Sequence, residues 1–162
     1  MTAAARPGRS GVTAPAGDRA ARHAEQTPPA RSLILKRVYD PPDAADGVRI
    51  LVDRLWPRGV RKEAARIDRW MRDLAPSPAL RQWFGHDPAR WEEFCRRYRA
   101  ELAARTEALE ALRALARQRP VTLVHAARDA RHNNAVALRA ALLRRKLPPE
   151  PAPAGDQEPD GR

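Results

Sequence analysis

Chargeable and planar side chains crowd into three short stretches of this chain. Arg37, Tyr39 and Asp40 follow one apolar run; Asp53, Arg54, Trp56 and Arg58 follow a second; His125, Arg128, Asp129, His132, Asn133 and Asn134 follow a third. A guanidinium matches phosphate or carboxylate through paired N–H donors, so Arg37, Arg54, Arg58 and Arg128 are candidate anion ligands. Arg58 sits between Pro57 and Gly59, on a stiffened backbone that lowers the ordering cost of gripping an anion. Asp53 is a candidate base, or the group that orients an arginine; the competing reading is a structural pair with Arg54. Tyr39 is the second candidate for an orienting or catalytic role. Trp56 follows a strand end, where it walls a pocket or stacks on a base, or else joins the core.

His125 and His132 stand seven residues apart. A metal site needs further ligands that the chain does not advertise, so no metal and no cofactor is expected. His132-Asn133-Asn134 opens a helix, where backbone N–H groups favour an anion and where one asparagine is expected simply to cap. Cys95 lies between Phe94 and Tyr98 on an apolar stripe and reads as a small core residue rather than a nucleophile. No glycine-rich phosphate loop, GxSxG or HExxH is present. The residues point to a site without naming a reaction, and whether the protein is an enzyme is left open.

Short elements must position these groups. Ser32–Tyr39 reads as a first strand, closed by Pro41-Pro42. Arg49–Asp53 reads as a second strand, about ten residues later. That connection is short for a parallel crossover, so spacing alone leaves both strand directions open. Glu63–Met71 reads as one or two helical turns with Ile67, Trp70 and Met71 inward. Ser77 caps a helix over Pro78–Phe84. Asp87-Pro88 starts another, with Trp91, Phe94, Cys95, Tyr98 and Leu102 at helical spacing, and its pattern runs on to Arg119. Val121–His125 is a third strand, apolar enough for burial on both faces. His132–Arg145 is the last helix. The expected fold is α/β: a small single domain with a mainly parallel sheet flanked by helices. In such a sheet ligands sit beyond the carboxyl ends of the strands, where the three stretches would converge.

Composition bounds the rest. Residues 1–31 and 147–162 are rich in proline and poor in large apolar residues, and both are expected as disordered tails around a domain over 32–146. The formal net charge is +11, carried by the domain, because the two tails offset each other. Such a balance favours anionic partners, either a small anion or nucleic acid, although arginine-rich usage also arises wherever Arg replaces Lys on solvated faces. The single cysteine excludes an intramolecular disulfide and fits a reducing, cytoplasmic setting. No run of about 18 apolar residues exists, so no membrane span is expected.

Three segments carry a family resemblance: KRVYDPPDAADGVRILVDRLWPRGVRKE (Lys36–Glu63), WMRDLAPSPALRQWFGHDPARWEEFCRRYRAEL (Trp70–Leu102) and PVTLVHAARDARHNNAVALRAAL (Pro120–Leu142). They resemble, in order, the YeaO-like branch of the family called "domain of unknown function 488", over about Leu33 to Leu143. The resemblance implies a compact α/β domain in a bacterial protein, a parallel direction for the first two strands, and no accepted activity. Asp53, Arg54 and Pro57 match a strand end shared across the family. The family's other branch has a late strand running into Cys-His-Arg; here His132-Asn133-Asn134 stands there without a cysteine, so a thiol chemistry does not carry over. The leading expectation is an anionic small molecule, phosphate- or nucleotide-like, bound at the strand ends. The alternatives are a nucleic-acid-binding or repair-associated module and a non-catalytic interaction domain.

Overall fold

The computed structural model describes residues 27–145. The expected tails lie outside these residues, except that 27–31 is described and Ala30–Ser32 forms a 3-10 turn. Four strands, β1 (Leu33–Arg37), β2 (Val48–Leu51), β3 (Arg69–Trp70) and β4 (Val121–His125), form one sheet in the order β1-β4-β2-β3. Every pairing is parallel, so all carboxyl ends emerge at one edge of the sheet. Five helices accompany them: α1 (Lys62–Ala65), α2 (Pro78–Phe84), α3 (Trp91–Ala103), α4 (Thr106–Gln118) and α5 (Asn134–Leu142).

Alternation along the strands divides the core. Leu33, Ile50, Val121 and Leu123 face the helices and pack with Phe84, Phe94, Tyr98 and Leu138. Leu51 and Val124 face the other way and join Val38, Ala65, Ile67 and Trp70. β4 lies in the middle and is buried throughout, as its apolar run requires.

Because β4 separates β1 from β2, the short connection after β1 must cross a strand, and it is tied down along the way. Asp43 caps the 3-10 turn Ala44–Asp46. The Asp46 carboxylate accepts from Lys36 Nζ at 3.0 Å and Arg49 Nη1 at 2.6 Å, while its carbonyl accepts from the Thr122 hydroxyl at 2.7 Å. Burial alone would raise the Asp46 carboxyl; hydrogen bonds from the Asp43 N–H, Lys36 and Arg49 outweigh it and hold the group below its ordinary value. Gly47 then passes so close to Pro120 that a Cβ would stand 2.1 Å from the Pro120 carbonyl oxygen.

Three expected helical elements differ in kind or extent. Glu63–Met71 is not helical throughout: α1 ends at Arg66 in a left-handed conformation, and Arg69–Trp70 becomes the edge strand β3, paired as Ile50 with Arg69 and Leu51 with Trp70. A two-residue strand is too short to show a period, and the spacing of Ile67, Trp70 and Met71 mimics a helix. The long helix expected after Asp87 divides at Ala104–Arg105 into α3 and α4. Neither Pro nor Gly marks the break, and the apolar stripe keeps its phase across it. The last helix starts at Asn134 rather than His132, with Asn133 as its cap.

Candidate functional site

A cavity of about 620 Å³ opens at the carboxyl ends of β2 and β4. The 53–58 loop after β2 and the 126–134 segment after β4 form two walls, and α2 and α3 supply the third. Phe84 and Phe94, stacked with ring centres 4.3 Å apart, give this third wall an apolar face. Arg58, Arg81 and Arg128 are exposed at its margin.

Asp53 joins the walls. One carboxylate oxygen accepts the Ala126 N–H at 2.9 Å and the other accepts the Asn134 amide at 3.1 Å. The same Asn134 amide donates to the Val52 carbonyl at 3.0 Å, and the Asp53 carbonyl accepts the Trp70 indole N–H at 2.7 Å. The expected pair between Asp53 and Arg54 is not made. Arg54 turns instead to the carbonyls of Pro76 and Ala75, at 3.2 and 3.3 Å, and anchors the chain entering α2. The chain bends at residues 53–55, beyond the end of β2, and the two side chains meet different segments. Trp56 donates to the Val60 carbonyl at 2.7 Å and sets its ring edge-on against Trp70.

Of the residues singled out from the sequence, Asp53, Arg54, Trp56, Arg58, Arg128, Asp129, Asn133 and Asn134 line the cavity. Arg37, Tyr39, His125 and His132 do not: three of them are engaged elsewhere and His125 is buried. Arg37 donates to the Ala127 carbonyl at 2.9 Å and lies over the Tyr39 ring. Tyr39 is half exposed and donates to the Arg58 carbonyl at 3.2 Å, bracing the backbone of that loop. His125 is 3% exposed, and burial depresses its pKa. His132 pairs with Asp129 at 2.8 Å and packs edge-on against Trp91. Burial would raise the Asp129 carboxyl, but the Arg131 and His132 contacts win and hold it below its ordinary value. Asn133 caps α5 through Val136 N–H at 3.1 Å, leaving Asn134 as the asparagine that engages Asp53.

Sequence reasoning missed Arg81, His86, Pro76, Phe84 and Phe94 as cavity residues. Recognising β3 would have found part of this set. The 71–77 segment leaves the carboxyl end of β3 and delivers α2 to the same edge of the sheet.

The electrostatic balance is set by which charges already have partners. The cavity carboxylates, Asp53 and Asp129, accept hydrogen bonds from their own walls. The guanidinium groups of Arg58, Arg81 and Arg128 have no hydrogen-bond or ion-pair partner among the described residues. Cys95 takes no part: it is buried on α3, and burial pushes its thiol up to about 12. Among the described residues no group of three or more His, Cys, Asp or Glu side chains could hold a metal, and no helix is long and apolar enough to cross a membrane.

A family model described as the inactive DUF488-N3 subclade matches residues 32–159. Over 107 residues the chain is 46% identical to an uncharacterised protein of Mycobacterium tuberculosis, spanning 66% of this chain and 89% of that protein. It is 41% identical over 107 residues to the uncharacterised protein YeaO of Escherichia coli, spanning 66% of this chain and 93% of that protein. No solved structure matches the chain.

Proposed function

Because this chain belongs to the DUF488 family, within the subclade described as inactive, we propose that it binds a ligand without transforming it: a phosphate- or nucleotide-like anion held at the carboxyl ends of β2 and β4. One observation carries the reading. Arg58, Arg81 and Arg128, all lacking protein partners among the described residues, surround a cavity of about 620 Å³ with an aromatic wall. That volume lies within the usual range of small-molecule sites, which is about 300–1,000 Å³. An anion there gains charge-assisted hydrogen bonds from groups that surrender none inside the protein. The description of the subclade favours binding over catalysis, as does Asp53, whose two carboxylate oxygens are occupied in joining the walls.

A thermal-shift and calorimetric screen of inorganic phosphate, sugar phosphates and nucleoside monophosphates tests the proposal. A ligand at 100 times its Kd should stabilise the fold by about 2.7 kcal/mol. Arg58→Ala combined with Arg128→Ala should weaken that ligand by about 10-fold or more, the scale of one or two lost charged hydrogen bonds. Stabilisation by none of these anions would overturn the reading, as would a shift that the double variant leaves intact.

A further inference from the structure

The cavity takes in Arg58, Arg81 and Arg128 but not the cations that follow Arg58 in the chain. Arg61, Lys62, Arg66, Arg69 and Arg72 fall within twelve residues and are all exposed. None has an ion-pair partner among the described residues, although Glu63 and Asp68 lie in the same span. Asp68 is turned toward the sheet, where it accepts the Arg49 N–H at 2.8 Å. The helical side is different. Arg90 pairs with Asp87, Arg96 and Arg97 share Glu93, and Arg113 and Arg144 share Glu110. Ion pairs therefore recur along α3 and α4, although Arg99, Arg105 and Arg119 make none among the described residues, whereas none of the cations beside β3 makes one.

Topology places four of these cations, Arg61, Lys62, Arg66 and Arg72, on one side of the sheet. α1 lies on the sheet face opposite the large helices, since its Ala65 packs with Leu51 and Val124. β3 is the outer strand on that side of the sheet. Arg61 and Arg66 flank α1 and Lys62 opens it, so they share that face with Arg72, whereas Arg69, in register with Ile50, points to the face that packs the large helices. The Arg72 guanidinium rests 3.6 Å from the centre of the Trp70 ring, which fixes its position while leaving its N–H donors without a protein acceptor. Trp70 in turn meets Trp56, so the strip is mounted on a packed aromatic pair rather than on a loose loop.

We infer that this strip binds the phosphodiester backbone of a nucleic acid. A single small anion would engage one or two of the four cations, whereas a chain of regularly spaced phosphates engages all of them. Arginine predominates, and its planar fork suits phosphate oxygens. A membrane surface fits less well: the exposed large apolar residues among those described are Tyr39 and Leu55, and neither belongs to the strip. The strip stands outside the cavity, so this inference holds whether or not the cavity takes a small anion.

Fluorescence anisotropy on the full chain tests it, using a labelled 15-nucleotide single strand, a duplex of the same length, and phosphatidylserine vesicles as the competing polyanion. Four phosphate contacts give a log Kd against log salt dependence of magnitude about 2.8 for the single strand and about 3.6 for the duplex. Arg61→Glu with Arg66→Glu should weaken binding at least ~10-fold and lower that dependence by about 1.4 to 1.8. Arg105→Glu with Arg119→Glu, equal in charge change but placed at the ends of α4, should leave both quantities near wild type. The preferred form identifies the nucleic acid. Equal losses in the two variants, binding to vesicles alone, or no binding to either oligonucleotide at low salt would overturn the inference.

Discussion

At the scale of single residues, Asp53 is the group on which the cavity depends. Its carboxylate joins the end of β2, the loop after β4 and the start of α5. Asp53→Ala would leave the Ala126 N–H and the Asn134 amide without their acceptor, in a part-buried site. The expected cost is about 2–4 kcal/mol, read as a lower urea midpoint at unchanged m-value. Asp53→Asn should cost less, since it keeps one acceptor oxygen. A residue serving only a ligand would behave otherwise, with stability within about 0.5 kcal/mol of wild type and only affinity changed. Much at this scale was readable in advance: Ser77 as a cap, Cys95 as core, and one asparagine of the 133–134 pair as the cap of α5. What could not be read was the partner of each charge. Arg54 and Asp53 are adjacent in sequence yet bind different segments, because the chain bends beyond β2 and folding brings a different stretch of backbone against each.

At the scale of elements, the connection between β1 and β2 decides whether β4 can enter between them. Gly47, at φ 62°, lets the chain pass over Pro120, and Val48 N–H bonds the Pro120 carbonyl at 3.0 Å. Gly47→Ala puts a methyl 2.1 Å from a backbone oxygen, so β2 must shift against β4. We expect a loss of about 3 kcal/mol or more. Gly59 serves as the control: its φ is 71°, but nothing lies within 4 Å of the added Cβ. Gly59→Ala should therefore cost only the left-handed penalty of about 1–2 kcal/mol. Chemical denaturation of the two variants separates backbone strain from collision, and equal losses would refute the crowding argument. Elements with several turns or strong punctuation, such as Pro78–Phe84 and Val121–His125, were legible within a residue. β3 and the α3–α4 break were not, since one is too short to have a period and the other preserves the stripe.

At the scale of the whole molecule, His125 couples folding to pH. Burial is the main cause of its depressed pKa; Arg37 adds to it, while Asp53 and Asp40 oppose it. An unfolded chain therefore takes up a proton at His125 near the ordinary value of 6.5, before the folded protein does. Stability is full above that pH and falls as pH drops through it, by at most about 1.4 kcal/mol per pH unit for one site, until the folded value is passed. Below the ordinary carboxylate range, Asp46 and Asp129 add a second loss, because their folded values are lowered. Urea midpoints at pH 7, 6 and 5 should decline for the wild type and flatten for His125→Gln. Greater stability of the wild type at pH 5.5 than at pH 7, or equal slopes for the two proteins, would contradict the assignment.

By itself the sequence determined the α/β class, the family, the strand ends on which polar groups gather, and the excess of positive charge. These are local or summed properties: hydrophobic period, capping chemistry, motif identity and composition. The tertiary structure alone decided that β4 lies between β1 and β2, that β3 exists, that α2 and α3 close the cavity, and which cations lack partners. Those are relations between residues distant in the chain. The same Asp or Arg is a ligand, a brace or half of a neutral pair according to which segment folding brings against it.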